Sequence, residues 1–296
     1  MGSRLALGTV QFGRDYGIAN NIGQVSASSA RDIVAFAKQS DIDTLDTAIA
    51  YGDSEVVLGE IGVGQFKVVS KIPPVGVLRR LPPSWIADQL ADSLSRLRIN
   101  SLHGLLLHRP ADLFGSCGEE LRRQLLAQRD SGLVHKIGVS IYDPCEIEPI
   151  LSALSVDLVQ APMNVFDRRL ANSGWLARMH RAGIEVHVRS VFLQGLLLMP
   201  ESQVPTQFTH WFPLLAQWRN HLKVSQQLPL HAALAHVLAY DEIGKIVVGC
   251  DSLSQLQQIV SASQTRPLRA PNVLGSIWRW GHCYLRRRED YCLPRQ

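Results

Sequence analysis

The stretch Leu45-Asp46-Thr47-Ala48-Ile49-Ala50-Tyr51-Gly52-Asp53-Ser54-Glu55 decides the reading of the fold. A short apolar run ends in a carboxylate at Asp46, a phenol follows at Tyr51, and a Gly-Asp-Ser turn opens a helix-like segment, Ser54 to Ile61. That is a strand, a loop and a helix, with two reactive side chains in or beside the loop. Two more strand-like runs end in the same way, Val68-Val69-Ser70-Lys71 and Leu105-Leu106-Leu107-His108. In parallel α/β proteins the carboxyl ends of strands line the active site. Asp46, Tyr51, Lys71 and His108 are therefore expected to face one site.

Outward from this unit the strand-helix alternation covers the chain. Strands are predicted at Leu5 to Leu7, Thr44 to Asp46, Lys67 to Lys71, Leu102 to Leu107, Lys136 to Ser140, Leu158 to Gln160, Glu185 to Val188 and Lys245 to Val248. Helical periodicity follows each, at Ser26 to Ser40, Ser54 to Ile61, Ser84 to Leu97, Glu119 to Arg129, Cys145 to Leu154, Leu170 to Ala182, Leu230 to Tyr240 and Ser252 to Ser261. About eight such units in 296 residues predict a (β/α)8 TIM barrel of the α/β class rather than a doubly wound sheet. The lack of a Gly-x-Gly-x-x-Gly after the first strand agrees. One domain spanning 1–296 is expected, with 265–296 as a tail packed on the barrel. The insertion Leu196 to Gln227 reads either as a lid or as a docked helical connection. The segment Gln11 to Gly17 reads as lining the substrate mouth, its Phe12 and Tyr16 otherwise packing the rim.

Composition narrows the classes. With 46% hydrophobic residues the chain can bury a core without staples. A net charge of +4 spread along the chain does not argue for nucleic acid. Arg286-Arg287-Arg288 near Trp278, Trp280 and Tyr284 reads as a solvated tail. Cys117, Cys145, Cys250, Cys283 and Cys292 form no CxxC pair, so neither disulfide framework nor zinc site is expected. No signal-peptide pattern and no membrane-length apolar run appear, and a cytoplasmic location without membrane contact is expected.

The chemistry follows from the four polar strand-end side chains. An ammonium beside a phenol favours the phenolate. If Asp46 pairs with Lys71, Tyr51 can give a proton to a carbonyl oxygen while hydride arrives at carbon. His108 would hydrogen-bond the same oxygen. Arg14, Arg109 and Arg189 at the mouth suggest an anionic or hydroxyl-rich substrate.

The chain resembles the aldo-keto reductase family. The matching pieces are Leu7-Gly8-Thr9, Asp46-Thr47-Ala48 with Tyr51-Gly52, Ser54-Glu55 with Leu58-Gly59, Lys71, and Leu107-His108-Arg109-Pro110. Lys136 to Ser140, Val159-Gln160 with Asn164, and Ser190 with Gln194 to Leu197 extend the match. The resemblance implies a (β/α)8 barrel that binds NADP(H) or NAD(H) and reduces an aldehyde, ketone or sugar-derived carbonyl. It places the family tetrad on Asp46, Tyr51, Lys71 and His108. Ser140 and Gln160 fall where the family binds the nicotinamide carboxamide, and Arg189, also expected to bind the cofactor, where many members stack an aromatic ring on the nicotinamide. Ser190, Gln194, Gly195 and Leu196 fall on the loop along the pyrophosphate, and Gly249, Asp251, Ser252 and Gln255 on the adenosine motif. Three positions depart from the common pattern: Asp251 where NADPH users carry Lys or Arg, Gln258-Ile259 where an Asn is frequent, and Ile141 after Ser140. Asp251 either contacts a ribose hydroxyl or caps the last helix. A regulatory subunit on the same barrel is the alternative function, and a lyase or isomerase a further one.

Overall fold

The computed structural model describes residues 3–264; the tail expected to pack on the barrel lies outside the described residues. Eight parallel strands, β1 (Leu5–Gly8), β2 (Thr44–Asp46), β3 (Lys67–Ile72), β4 (Leu102–Leu107), β5 (Val134–Ser140), β6 (Leu158–Pro162), β7 (Glu185–Arg189) and β8 (Lys245–Val248), close in sequence order, with β1 paired to β8. The helices in chain order are α1 (Val10–Gly13), α2 (Ala27–Gln39), α3 (Ser54–Ile61), α4 (Trp85–Leu97), α5 (Gly118–Asp130), α6 (Ile147–Ala153), α7 (Arg169–Asn172), α8 (Trp175–Arg181), α9 (Phe212–Ser225), α10 (Pro229–Leu238) and α11 (Leu253–Ser263). This is the expected (β/α)8 barrel.

The strands are short and almost wholly buried, because helices cover their outer faces while side chains fill the inside. Apolar stripes pin the helices: Ala30, Ile33, Val34 and Ala37 on α2, and Ile86, Leu90 and Leu97 on α4, all join the main core. Inside the barrel Val69, Leu106 and Leu158 make a separate small cluster. Gly104 and Gly138 make room for it; a Cβ on Gly138 would lie 1.9 Å from the Leu158 carbonyl oxygen. These side chains share the barrel interior with Asp46, Lys71 and Gln160, since aligned and alternate residues point the same way.

One expectation is revised, and one alternative is resolved. The segment expected as one helix from Leu170 to Ala182 is two, α7 and α8, broken where Gly174 takes φ +78°. The insertion is a docked helical connection. Leu197, Val204, Phe208, Leu215, Trp218 and Leu222 form a satellite core with Phe166, and the Trp218 indole donates to the Leu197 carbonyl at 3.0 Å. Among the described residues no helix is long and apolar enough to cross a membrane.

Candidate active site

Parallel pairing sets the four candidate side chains around one end of the barrel. Asp46 ends β2, Lys71 lies next to the last residue of β3, and His108 directly follows β4. Tyr51 stands in the turn that leads to α3, where its carbonyl accepts from the Ser54 amide and Gly13 backs it closely; a Cβ on Gly13 would sit 1.8 Å from the Tyr51 carbonyl oxygen. Only glycine allows that approach.

Lys71 is fully buried, and its ammonium is saturated. It donates to both Asp46 oxygens at 2.8 and 2.9 Å, to the Thr47 carbonyl at 2.8 Å, and reaches the Tyr51 hydroxyl at 3.4 Å. Gln160 donates to Asp46 Oδ2 at 2.6 Å, so the carboxylate is held from two sides. The His108 ring lies edge-on to the Tyr51 ring, centroids 5.9 Å apart. Burial, with Lys71 and Arg189 nearby, pushes His108 down to about 3, so its imidazole is neutral in the ordinary pH range.

Below these side chains, Glu55 is buried at the start of α3. Its carboxylate accepts from Ser70 and Ser93 at 2.7 Å each and pairs with Arg96 at 2.7 Å, which locks β3, α3 and α4 together behind Lys71.

The residues of the expected dinucleotide cradle lie at the same end. Ser140 and Gln160 are adjacent across β5 and β6. The loop after β7 is held in left-handed backbone at Ser190 (φ +61°), Leu193 (φ +48°), Gln194 (φ +56°) and Gly195 (φ +88°). The loop after β1 is fastened to it: the Ile18 and Ala19 amides both donate to the Gln194 carbonyl at 3.1 Å, and the Gln194 amide group donates to the Tyr16 hydroxyl at 3.1 Å. Gly249 lies against Gln11, whose amide nitrogen would be 2.6 Å from an added Cβ.

Arg189 is the unusual member. Its guanidinium stacks on Tyr142 at 4.5 Å and donates to the Ile141 carbonyl at 3.1 Å. Tyr142, a partner that sequence reasoning missed, follows the Ser140-Ile141 pair on the next strand but one. Leu196 is buried in the satellite core, so its side chain is turned away from the mouth. Arg109 is occupied by Asp112, to which it donates at 2.8 Å. Phe12 is fully buried in the main core rather than lining the mouth.

The last helix settles one alternative. Ser252 is the N-cap of α11 and accepts from the Gln255 amide at 3.2 Å, while the Gln255 side chain accepts from the Asp251 amide at 2.8 Å. Asp251 is therefore no cap. Burial raises its carboxyl above the usual range, with Asp15 adding to the push against a hydrogen bond from Gln255.

A dinucleotide fits these residues. Gln11, Gln160, Gln194 and Asp251 each carry a buried oxygen without a hydrogen-bond partner among the described residues. Buried polar atoms left so are rare unless a ligand meets them.

Residues 4–273 match the model of the aldo/keto reductase family, and the chain belongs to that family. It is an NAD(P)-dependent oxidoreductase. It is 27% identical, over 88% of its length and 89% of the relative's, to an NADH-specific methylglyoxal reductase of Escherichia coli. A Bacillus halodurans aldo-keto reductase in its holo form shares the fold with a TM-score of 0.71 and 20% identity, covering 90% of this chain and 88% of that one. A Pseudomonas aeruginosa aldo-keto reductase does so at 0.66 and 22%, covering 88% and 90%.

Proposed function

We propose that this barrel reduces a small aldehyde, ketone or sugar-derived carbonyl, with Tyr51 as the proton donor. The observation that carries the reading is the single ammonium of Lys71, which touches the Asp46 carboxylate and the Tyr51 hydroxyl at once. NAD(P)H, when bound, supplies the hydride to the carbonyl carbon. The Tyr51 hydroxyl gives its proton to the carbonyl oxygen, and the Lys71 ammonium stabilises the phenolate left behind. Asp46 and the Thr47 carbonyl fix that ammonium, so no reorganisation is needed as charge develops. His108, being neutral, orients the carbonyl by a hydrogen bond and takes no part in the charge balance.

For the cofactor we assign Ser140 and Gln160 to the carboxamide, where Gln160 Oε1 lacks a partner. Ser190, Gln194 and Gly195 line the pyrophosphate, Leu196 contributing backbone only. Gly249, Ser252 and Gln255 shape the adenosine end. Asp251 and Asp15 place carboxylates there, which repel a 2′-phosphate and suit a ribose hydroxyl. NADH is thus the preferred cofactor of this proposal; the NADH-specific Escherichia coli relative supports both this preference and a small reactive carbonyl as substrate.

The experiment is the Tyr51→Phe variant. Carbonyl-dependent NADH oxidation is expected to fall at least ~10²-fold, in line with the loss of a general acid. NADH binding, followed by tryptophan fluorescence, should stay within about twofold of the parent. A fully active Tyr51→Phe enzyme would overturn the assignment.

A further inference from the structure

Arg189 brings to the mouth a positive charge that no carboxylate of the described residues pairs. Its guanidinium contacts are the Tyr142 ring, the Ile141 carbonyl and, at 3.4 Å, the Ser190 hydroxyl. The carboxylates in its vicinity are committed elsewhere. Asp46 holds Lys71 and Gln160, and Asp167 pairs with Arg169 at 2.8 Å. Lys71 and Asp46 cancel, and His108 is neutral, so the groups around Tyr51 do not balance the Arg189 charge. Burial is the main influence on Arg189 and lowers its pKa, the mark of a cation short of solvation.

A half-buried cation without a counter-ion is costly, and a fold that keeps one has an anion to meet it. Guanidinium carries five N–H donors, and the contacts above leave several unused. The fork matches a carboxylate or phosphate in two parallel hydrogen bonds. Beside it the Tyr142 hydroxyl is buried without a partner and can donate to the same oxygens. Arg109, by contrast, is tied to Asp112 and is not available for this task.

We propose that Arg189 and Tyr142 form a subsite for an anionic group on the substrate, which is therefore a carbonyl compound bearing a carboxylate or a phosphate. This rests on the carbonyl-reductase reading above. Arg189 acts here as a specificity residue, set next to the tetrad so that the anion anchors a molecule whose carbonyl reaches Tyr51.

The test compares matched substrates with NADH: 4-oxobutanoate against butanal, and glyceraldehyde 3-phosphate against glyceraldehyde. In the parent enzyme kcat/KM for the charged member is expected to exceed that of its neutral partner by about 30-fold or more in at least one pair, a size set by charge-assisted hydrogen bonds. The pair that shows it tells carboxylate from phosphate. In Arg189→Met that ratio should collapse towards one, whatever happens to either rate alone. Arg189→Lys, which keeps the charge and loses the fork, should fall between. Tyr142→Phe should lower the ratio by a few-fold. Ratios near one in the parent enzyme for both pairs would overturn the proposal, as would a ratio that Arg189→Met leaves intact while NADH binding weakens tenfold, because the guanidinium would then serve the cofactor. A parent enzyme that reduces none of the four would remove the reductase reading itself and this subsite with it.

Discussion

Asp251 is the residue on which the proposed cofactor preference turns. Its carboxylate is half-buried, feels the like charge of Asp15, and keeps Oδ1 without a hydrogen-bond partner among the described residues. Like charges at close range cost most where water is partly excluded. Asp251→Lys is therefore expected to tighten NADPH binding by about tenfold or more and to weaken NADH binding, measured as dissociation constants by fluorescence titration. Unchanged constants for both would show that the carboxylate lies off the cofactor. At this scale the meeting of Asp46, Lys71 and His108 was legible in the sequence, because each closes an apolar run and parallel pairing puts such ends together. The Arg189–Tyr142 stack was not. It joins residues from separate strands, and nothing in either local pattern announces the other.

At the scale of elements, the loop after β7 matters most. Four of its residues sit in left-handed backbone, and side chains tolerate that conformation poorly. Gly195 has the further constraint that an added Cβ would stand 2.4 Å from Ala19 Cβ. Gly195→Ala should then cost about 1–3 kcal/mol through backbone strain and contact together, and loosen the fastening between the loops after β1 and β7. The expected outcome is a lower melting temperature and NADH binding weakened at least about threefold. Unaltered NADH binding would show that the two loops do not shape the cradle. Element limits were legible where punctuation was strong: β2, α3, β4 and β8 fall as expected from Asp46, the Gly-Asp-Ser turn and the ends of their apolar runs. The break between α7 and α8 was missed because Ser173-Gly174 interrupts an otherwise continuous apolar period. The cap of α11 was uncertain because Asp251 and Ser252 are both good capping types, and only the backbone path selects Ser252.

For the molecule as a whole, the end of the barrel opposite the mouth is closed by charge. Glu185 accepts from Lys136 at 2.5 Å and from His187 at 2.7 Å, and Asp43 ties Lys67 to Lys245. Burial alone would raise the Glu185 carboxyl, but hydrogen bonds from His103, His187 and Lys136 outweigh it and hold it far below the carboxylate range. Asp43 is likewise drawn to about 2 by Lys245, Thr44 and Lys67 against the upward push of burial. A carboxyl lowered by folding stabilises the native state above its unfolded value, about 4 here, and loses that contribution as pH falls. The melting temperature should thus drop steeply below about pH 4. Glu185→Gln should show a shallower slope there, after a loss of about 1–3 kcal/mol at neutral pH. Parallel slopes for parent and variant would mean that other carboxyls set the acid limit. This region was not legible beforehand, since its charged residues begin strands and resemble ordinary solvated ends.

The closure of the barrel also fixes a timetable. One edge of β1 is completed by β8, and Arg4 reaches the carbonyls of Leu238 and Ile243. On a ribosome adding 5–20 residues per second, the first strand emerges roughly 10–50 s before that partner exists. Throughout that interval the nascent chain presents an open edge and the apolar side chains of Leu5 and Leu7 to the cell, so its safe passage depends on whatever shelters it until the last unit is made.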